Sequence, residues 1–116
     1  CQVCLMPYKI NEWTRHIDPL KMYEYLAAGR PVVSTAIPSA RAFAPPLRIA
    51  HDVRGFVSEI EAALAETDET QQAAFCRLAS QHDWEQRVEL LSAHIEAALA
   101  RKKNFKFEVL SLGFEV

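Results

Sequence analysis

Apolar and polar positions alternate in a way that predicts short buried strands interspersed with helices. Three short apolar runs have the length and β-branched character of buried parallel strands, at residues 2–8, 31–35 and 47–50. Apolar residues at helical spacing predict helices at 20–28, from 53, from 69 to about 80, and from 84 to about 102. A shorter helical turn is expected at 39–44. This alternation predicts an α/β fold with a parallel sheet and right-handed crossovers.

Acidic residues mark the predicted starts of the last three helices. Asp52, Asp68 and Asp83 each precede a run of helical spacing, where a carboxylate can accept hydrogen bonds from the first N–H groups. Gln71 and Gln86 stand three residues after the last two, the spacing of a capping box. Farther on, the alternating positions 105–109 predict a strand.

Residues 18–35 are the most informative segment, and they predict a short helix that leads into a buried strand. Asp18 is expected to cap this helix, and Pro19 suits its first turn. Gly29 stands where a left-handed residue closes a helix, and Pro31 prevents its continuation. The start of such a helix presents unpaired N–H groups and a positive dipole end, which favour phosphate.

Lys21 and Glu24 allow two interpretations of this helix. A lysine in the first turn of a helix is repelled by the positive end of the helix dipole, which costs roughly 0.3–1 kcal/mol. Glu24 is three residues farther on, so its side chain lies on the same face of the helix as that of Lys21. In the structural interpretation, they form a solvated ion pair. In the functional one, a diphosphate offsets the repulsion on Lys21, and Glu24 accepts hydrogen bonds from sugar hydroxyls.

The motif itself resembles the donor-binding signature of GT-B glycosyltransferases, especially the retaining, family-four-like enzymes of group 1 type. One variant reads Ser-Pro-x-Lys-x-x-Glu-Tyr-Leu-Ala-x-Gly-x-Pro-Val-Val, and residues 19–33 match it closely. The resemblance implies a partial Rossmann-like parallel sheet flanked by helices, a ribose site at Glu24, and a diphosphate facing Lys21 and the turn at 17–20. The family usually has a second Glu eight positions earlier, by the donor sugar. Here that position is His16, the candidate catalytic residue.

The resemblance covers about residues 2–100 and also sets the expected domain organisation. Residues 82–87 look like a Trp-containing segment that precedes the family's terminal helix. Residues 1–100 are therefore expected to be the C-terminal portion of a nucleotide-sugar-binding domain, with 101–116 as a tail. An N-terminal acceptor domain and the family's phosphate clamp are expected elsewhere, so this chain alone should be inactive. The alternative is a non-catalytic α/β module that assembles with another chain or with itself.

The implied partners are a nucleoside-diphosphate sugar, with UDP or GDP as carrier, and an acceptor that is a sugar, a lipid or a glycan. Transfer is expected to need no metal. Because ligands bind beyond the carboxyl ends of parallel strands, the loop after Tyr8 and the end of the strand at Thr35 belong to this region. The donor-binding candidates are Arg15, His16, Asp18, Pro19, Leu20, Lys21 and Glu24.

Composition narrows the class of protein. The 116 residues allow one domain, and 50% hydrophobic with 24% charged residues is an ordinary globular balance. The net charge of -2 gives no reason to expect nucleic acid, and no apolar run approaches a membrane span. A cytoplasmic location is expected, with peripheral membrane contact as a variant. Cys1 and Cys4 lack a second pair for zinc, so buried, reduced cysteines are predicted.

Overall fold

The computed structural model describes the backbone of residues 1–111 and the side chains of residues 1–104, in two compact units. The first unit, Cys1–Gln81, contains three strands and four helices. The strands are β1 (Cys4–Met6), β2 (Val32–Thr35) and β3 (Arg48–Ala50). The helices are α1 (Leu20–Ala27), α2 (Pro38–Arg41), α3 (Val53–Glu66) and α4 (Glu69–Ser80). The second unit begins at His82 and contains α5 (Trp84–Ser111).

The strands form a parallel sheet in the order β1-β2-β3, so β2 is central. Cys4 lies opposite Val32 on one side of β2, and Thr35 lies opposite Ala50 on the other. The first three strands predicted from sequence are therefore present, each shorter than its apolar run. The architecture confirms the expected α/β fold with a partial Rossmann-like parallel sheet flanked by helices.

The core of the first unit lies between the sheet, α1 and α4. Met6 and Val32 from the sheet are fully buried with Met22 and Leu26 from α1, and Phe75 from α4 completes the cluster. Helix α1 packs against α4 and β2, whereas α3 packs against β2 and β3. The helical spacing of Met22 and Leu26 puts both on the buried face of α1.

The end of α1 has the predicted geometry. Gly29 has a φ of +70°, the left-handed conformation that costs other residues free energy. Its N–H donates to the carbonyl oxygen of Leu26 at 2.9 Å, and the N–H of Arg30 donates to that of Tyr25 at 3.1 Å. These two bonds are the pair that defines a Schellman motif. The glycine therefore both ends the helix and turns the chain toward β2.

The start of α1 differs from the prediction. Helix α1 begins at Leu20, as predicted, but its N-cap residue is Pro19, whose backbone is extended (ψ 119°). Asp18 lies one residue before the N-cap and does not cap the helix; its Oδ1 accepts a hydrogen bond from the hydroxyl of Tyr23 at 2.8 Å. The expected Asp18 cap, and the expected place of Pro19 inside the first turn, are both wrong.

The three other predicted caps are confirmed. The Oδ1 atom of Asp52 accepts from the N–H of Gly55 at 2.6 Å, at the start of α3. Asp68 accepts from the N–H of Gln71, and Asp83 accepts from that of Gln86, each at 2.9 Å. Each carboxylate thus satisfies one of the N–H groups that a helix start leaves unpaired.

Helix α5 runs farther than expected. It continues to Ser111, so the predicted end near residue 102 and the predicted strand at 105–109 are wrong. Alternation over five residues is a short signal, and the good helix formers Lys106, Glu108 and Leu110 occur in and just after this stretch. The remaining tail, 112–116, lies outside the described residues.

The three cysteines are free, and only Cys4 is buried; Cys1 and Cys76 are exposed, contrary to expectation. Burial raises the pKa of the Cys4 thiol because the thiolate would be desolvated, although Arg30 opposes this. None of the helices, as far as they are described, combines the length and the apolar character needed to cross a bilayer.

Candidate functional site

The candidate site lies at the carboxyl edge of the sheet, where β1 leads through a loop into α1. Strand β1 ends at Met6, and α1 begins at Leu20 before the chain returns to β2. Because β1 and β2 are parallel, the start of α1 must lie near the carboxyl ends of the strands. Ligands of open parallel sheets bind at this edge. The topology therefore brings the predicted donor-binding segment to the expected place.

The loop between β1 and α1 is fixed by hydrogen bonds around Thr14, which is 6% exposed. The N–H of Thr14 donates to Oδ1 of Asn11 at 2.9 Å, and the N–H of Asn11 donates to Oγ1 of Thr14 at 3.0 Å. The Thr14 hydroxyl also donates to the carbonyl oxygen of Lys9 at 2.6 Å. These contacts close the 3-10 turn Thr14–His16, which the sequence analysis missed.

Lys21 contacts an aromatic ring and not the carboxylate considered from sequence. Its Nζ atom lies over the ring of Tyr8, 4.8 Å from the ring centroid, within the range of a cation–π interaction. Glu24 is exposed, and the ion pairs found among the described side chains join other residues. The structure therefore does not support a Lys21–Glu24 ion pair.

The start of α1 is electrostatically suited to an anion. Pro19, at the N-cap, offers no side-chain hydrogen bond, and no acidic residue stands in the described first turn. The N–H groups of Leu20 and Lys21 are among those that a helix leaves unpaired, and the dipole there is positive. The Lys21 ammonium adds a full positive charge to the same turn. An oxyanion at this position would interact with both.

Arg15 and His16 occupy the exposed 3-10 turn that precedes this segment. Nη2 of Arg15 forms an ion pair with Oε1 of Glu12 at 3.0 Å, with both side chains mostly exposed. Such an exposed pair contributes little to stability. The predicted residues 15–21 thus form one continuous loop-to-helix segment, and Glu24 lies one helical turn farther along.

A cavity of about 600 Å³ opens at the same edge of the sheet, over the ends of all three strands and the first turns of α3. Thr35, His51 and Asp52 supply its polar groups, and no lysine or arginine lines it among the described residues. The rest of the lining is apolar: Pro7, Ile10, Ala36, Ala50, Val53, Phe56 and Val57. The size of the cavity is typical of a ligand pocket. Because no cationic side chain lines it among the described residues, it suits a neutral group better than a diphosphate.

Sequence reasoning assigned Thr35 to this edge but gave His51 no function and Asp52 only its cap. Both residues directly follow β3. Because ligands bind beyond the carboxyl ends of parallel strands, this position in the sequence could have identified them as site candidates. In the part of the chain that the structure describes, no three His, Cys, Asp or Glu side chains are grouped as ligands for a metal.

One comparison with known proteins gives a match to this chain. Over 86 residues the chain is 35% identical to a protein of Bacillus subtilis (strain 168) described as "Putative teichuronic acid biosynthesis glycosyltransferase TuaH". The match covers 69% of this chain and 21% of that protein, so the chain spans about a fifth of its relative's length. No protein-family model matches the chain, and no solved structure matches it significantly. The chain is thus related, over most of its own length, to a protein described as a glycosyltransferase.

Proposed function

We propose that this chain is the donor-binding portion of a GT-B glycosyltransferase that transfers a sugar from a nucleoside diphosphate to an acceptor. The observation that carries the proposal is the ammonium of Lys21, held in the first turn of α1 at the carboxyl edge of the sheet. The relationship to a glycosyltransferase and the match of residues 19–33 to the donor-binding signature support it.

In this proposal the start of α1 stabilises the leaving diphosphate. The bond between the sugar carbon and the diphosphate oxygen breaks, and the diphosphate keeps the electron pair. The acceptor hydroxyl oxygen forms the new bond to that carbon, and its proton passes to the departing diphosphate or to water. Lys21 and the N–H groups of the first turn stabilise the negative charge that develops on the diphosphate, and no metal ion is needed for this. Family resemblance favours retention of configuration at the sugar carbon.

Glu24 has a separate role in the proposal, which is to accept hydrogen bonds from the ribose hydroxyls. It is exposed, one turn beyond Lys21, so a nucleotide whose diphosphate lies at the helix start can reach it. Arg15 and His16 are proposed to lie near the donor sugar, and His16 is the candidate for a catalytic group in this segment.

Calorimetric titration of the 116-residue chain with UDP and GDP, and with uridine and guanosine, tests the proposal. Lys21→Gln should weaken binding of the diphosphates much more than binding of the nucleosides, because only the diphosphates place charge at the helix start. Without ligand, its free energy of unfolding should change by only a few tenths of a kcal/mol. The lost cation–π contact, about 0.5–1 kcal/mol, and the relieved dipole repulsion, about 0.3–1 kcal/mol, nearly cancel.

Equal effects on both ligand types, or no effect, would place Lys21 outside a phosphate site. Failure of the wild-type chain to bind either diphosphate would favour the alternative of a non-catalytic α/β module. Sugar transfer is not expected from this chain alone. Robust turnover by it would contradict the proposal that a separate domain must bind the acceptor.

A further inference from the structure

We infer that Tyr8 and Thr35 are positioning residues that hold the Lys21 ammonium where it meets the donor diphosphate. The inference rests on the proposed function and extends it to two residues that the signature motif does not include.

The backbone of Tyr8 is attached to the sheet by two hydrogen bonds. The hydroxyl of Thr35, the last residue of β2, donates to the carbonyl oxygen of Tyr8 at 2.7 Å. The N–H of Tyr8 donates to the carbonyl oxygen of Met6 at 3.0 Å, at the end of β1. Tyr8 is half-buried and packs against the hydrophobic core. Its backbone is therefore anchored to the ends of two neighbouring strands, and its ring has little freedom to move.

The ring of Tyr8 restricts the side chain of Lys21. A free lysine side chain loses as much as about 2 kcal/mol of conformational entropy when it is fixed. With its Nζ atom 4.8 Å from the Tyr8 ring centroid, the side chain of Lys21 is already partly ordered before a ligand binds. The ring contacts one side of the ammonium, which leaves N–H groups on the other side for phosphate oxygens. Because part of the conformational entropy of Lys21 is already lost before binding, the diphosphate should bind more tightly than it would to a freely moving lysine.

Four variants separate the ring from the hydroxyl groups. Tyr8→Leu removes the aromatic face, and Tyr8→Phe keeps it while removing the phenol oxygen. Thr35→Val removes the hydroxyl that anchors Tyr8, and Thr35→Ser keeps it. Each is compared with Lys21→Gln in calorimetric titrations with UDP, GDP, uridine and guanosine.

We expect Tyr8→Leu to weaken diphosphate binding about two- to fivefold, the range that corresponds to an exposed cation–π contact, and to leave nucleoside binding nearly unchanged. Tyr8→Phe should bind like the wild type. Thr35→Val should weaken diphosphate binding about two- to fivefold, as expected for loss of one hydrogen bond, and Thr35→Ser should not. If Tyr8 had a merely structural role, Tyr8→Leu would instead weaken the binding of diphosphates and nucleosides to the same extent.

A measurement without ligand tests the ring contact itself. The ε-methylene protons of Lys21 should resonate upfield in NMR spectra of the wild type and Tyr8→Phe, because of the ring current. They should move to ordinary positions in Tyr8→Leu. This readout also shows whether Tyr8→Leu remains folded, since the rest of its spectrum should stay dispersed.

The outcomes distinguish the inference from the proposed function. If Lys21→Gln weakens diphosphate binding selectively and Tyr8→Leu does not, the proposed function stands and the inference is overturned. Absence of the upfield shift in the wild type, or equal losses in Tyr8→Phe and Tyr8→Leu, also overturns it. If the shift is present but the wild type binds no diphosphate, the ring contact exists without a phosphate site, and the proposed function falls together with the inference.

Discussion

The Sγ atom of Cys76 lies 3.3 Å from the point that a Cβ atom on Gly29 would occupy. The same sulfur contacts the carbonyl oxygen of Ala27 at 3.4 Å, as a weak donor. Helix α4 therefore approaches the end of α1 so closely that a side chain at position 29 would crowd it. Two independent constraints, the left-handed φ of +70° and this close approach, select glycine here.

Gly29→Ala should lower the free energy of unfolding by about 1–2 kcal/mol, since a side chain disfavours the left-handed conformation by that amount. Urea denaturation followed by circular dichroism measures the change. In a Cys76→Ala background the crowding is relieved but the backbone strain stays, so most of the loss should remain. If the loss disappears in that background, contact with the sulfur and not the φ angle is the main constraint.

Glu24→Ala should weaken binding of UDP or GDP by about 1.5–3 kcal/mol, the range for a hydrogen bond to a charged group. Binding of the corresponding nucleosides should weaken to the same extent, because they carry the same ribose. This contrasts with Lys21→Gln, whose effect should be confined to the diphosphates. Calorimetry on the same four ligands gives the comparison, and an unchanged affinity for all of them would contradict a ribose site at Glu24.

Arg48→Met should destabilise the first unit by about 1 kcal/mol. The guanidinium on β3 donates to Oε2 of Glu59 at 3.0 Å and to Oε2 of Glu66 at 2.6 Å, which joins β3 to α3. Its side chain is 24% exposed, but that of Glu66 is 61% exposed, so solvent screens part of the interaction. Burial lowers the pKa of Arg48, but the hydrogen bonds to the two carboxylates outweigh it, and the net shift is upward.

Urea denaturation at low salt and at 1 M NaCl tests the Arg48 prediction, because salt screens exposed charges. The effect of Arg48→Met should shrink at high salt. Arg41→Met, at an exposed position on α2, is the matched control and should change stability by less than about 0.5 kcal/mol. Equal losses in the two variants would show that the ion pairs contribute nothing specific.

Cys4 should make stability depend on pH in the alkaline range. Burial raises the pKa of its thiol above the ordinary value of about 8.5, so the folded state holds the proton more tightly than the unfolded state. This contribution is fully present below about pH 8.5 and is lost as the pH rises toward the folded pKa. Between about pH 8.5 and 9.5 the free energy of unfolding should fall more steeply for the wild type than for Cys4→Ala.

The exposed Cys76 provides the control for this measurement. Cys76→Ala should keep the wild-type dependence on pH, since the buried Cys4 thiol is intact in this variant. Slopes are compared and not absolute stabilities, because Cys4→Ala also removes buried sulfur from the core. A wild-type slope retained in Cys4→Ala would exclude the Cys4 thiol as its source.

The comparison of Asp52 with Asp18 shows where sequence reasoning succeeds and fails. Both are aspartates before a predicted helix, but only Asp52 caps one. Asp18 is followed by Pro19, which is extended and is itself the N-cap residue, and Tyr23 donates a hydrogen bond to the Asp18 carboxylate. A cap signal in the sequence is local, and it fails here because the helix begins one residue later than a cap at position 18 requires.

The sequence by itself determined the types and order of the strands and α-helices in the first unit, the left-handed end of α1 at Gly29, and the signature that points to a donor site. These depend on the periodicity of side chains and on glycine's conformational freedom, which act within a few residues. Only the tertiary structure decided the contact of Lys21 with Tyr8 and the cavity that brings Thr35 beside His51 and Asp52. Thr35 and Tyr8 are 27 residues apart in the chain, and their hydrogen bond exists because two parallel strands pair. Such contacts depend on which segments become neighbours, and no local pattern encodes that.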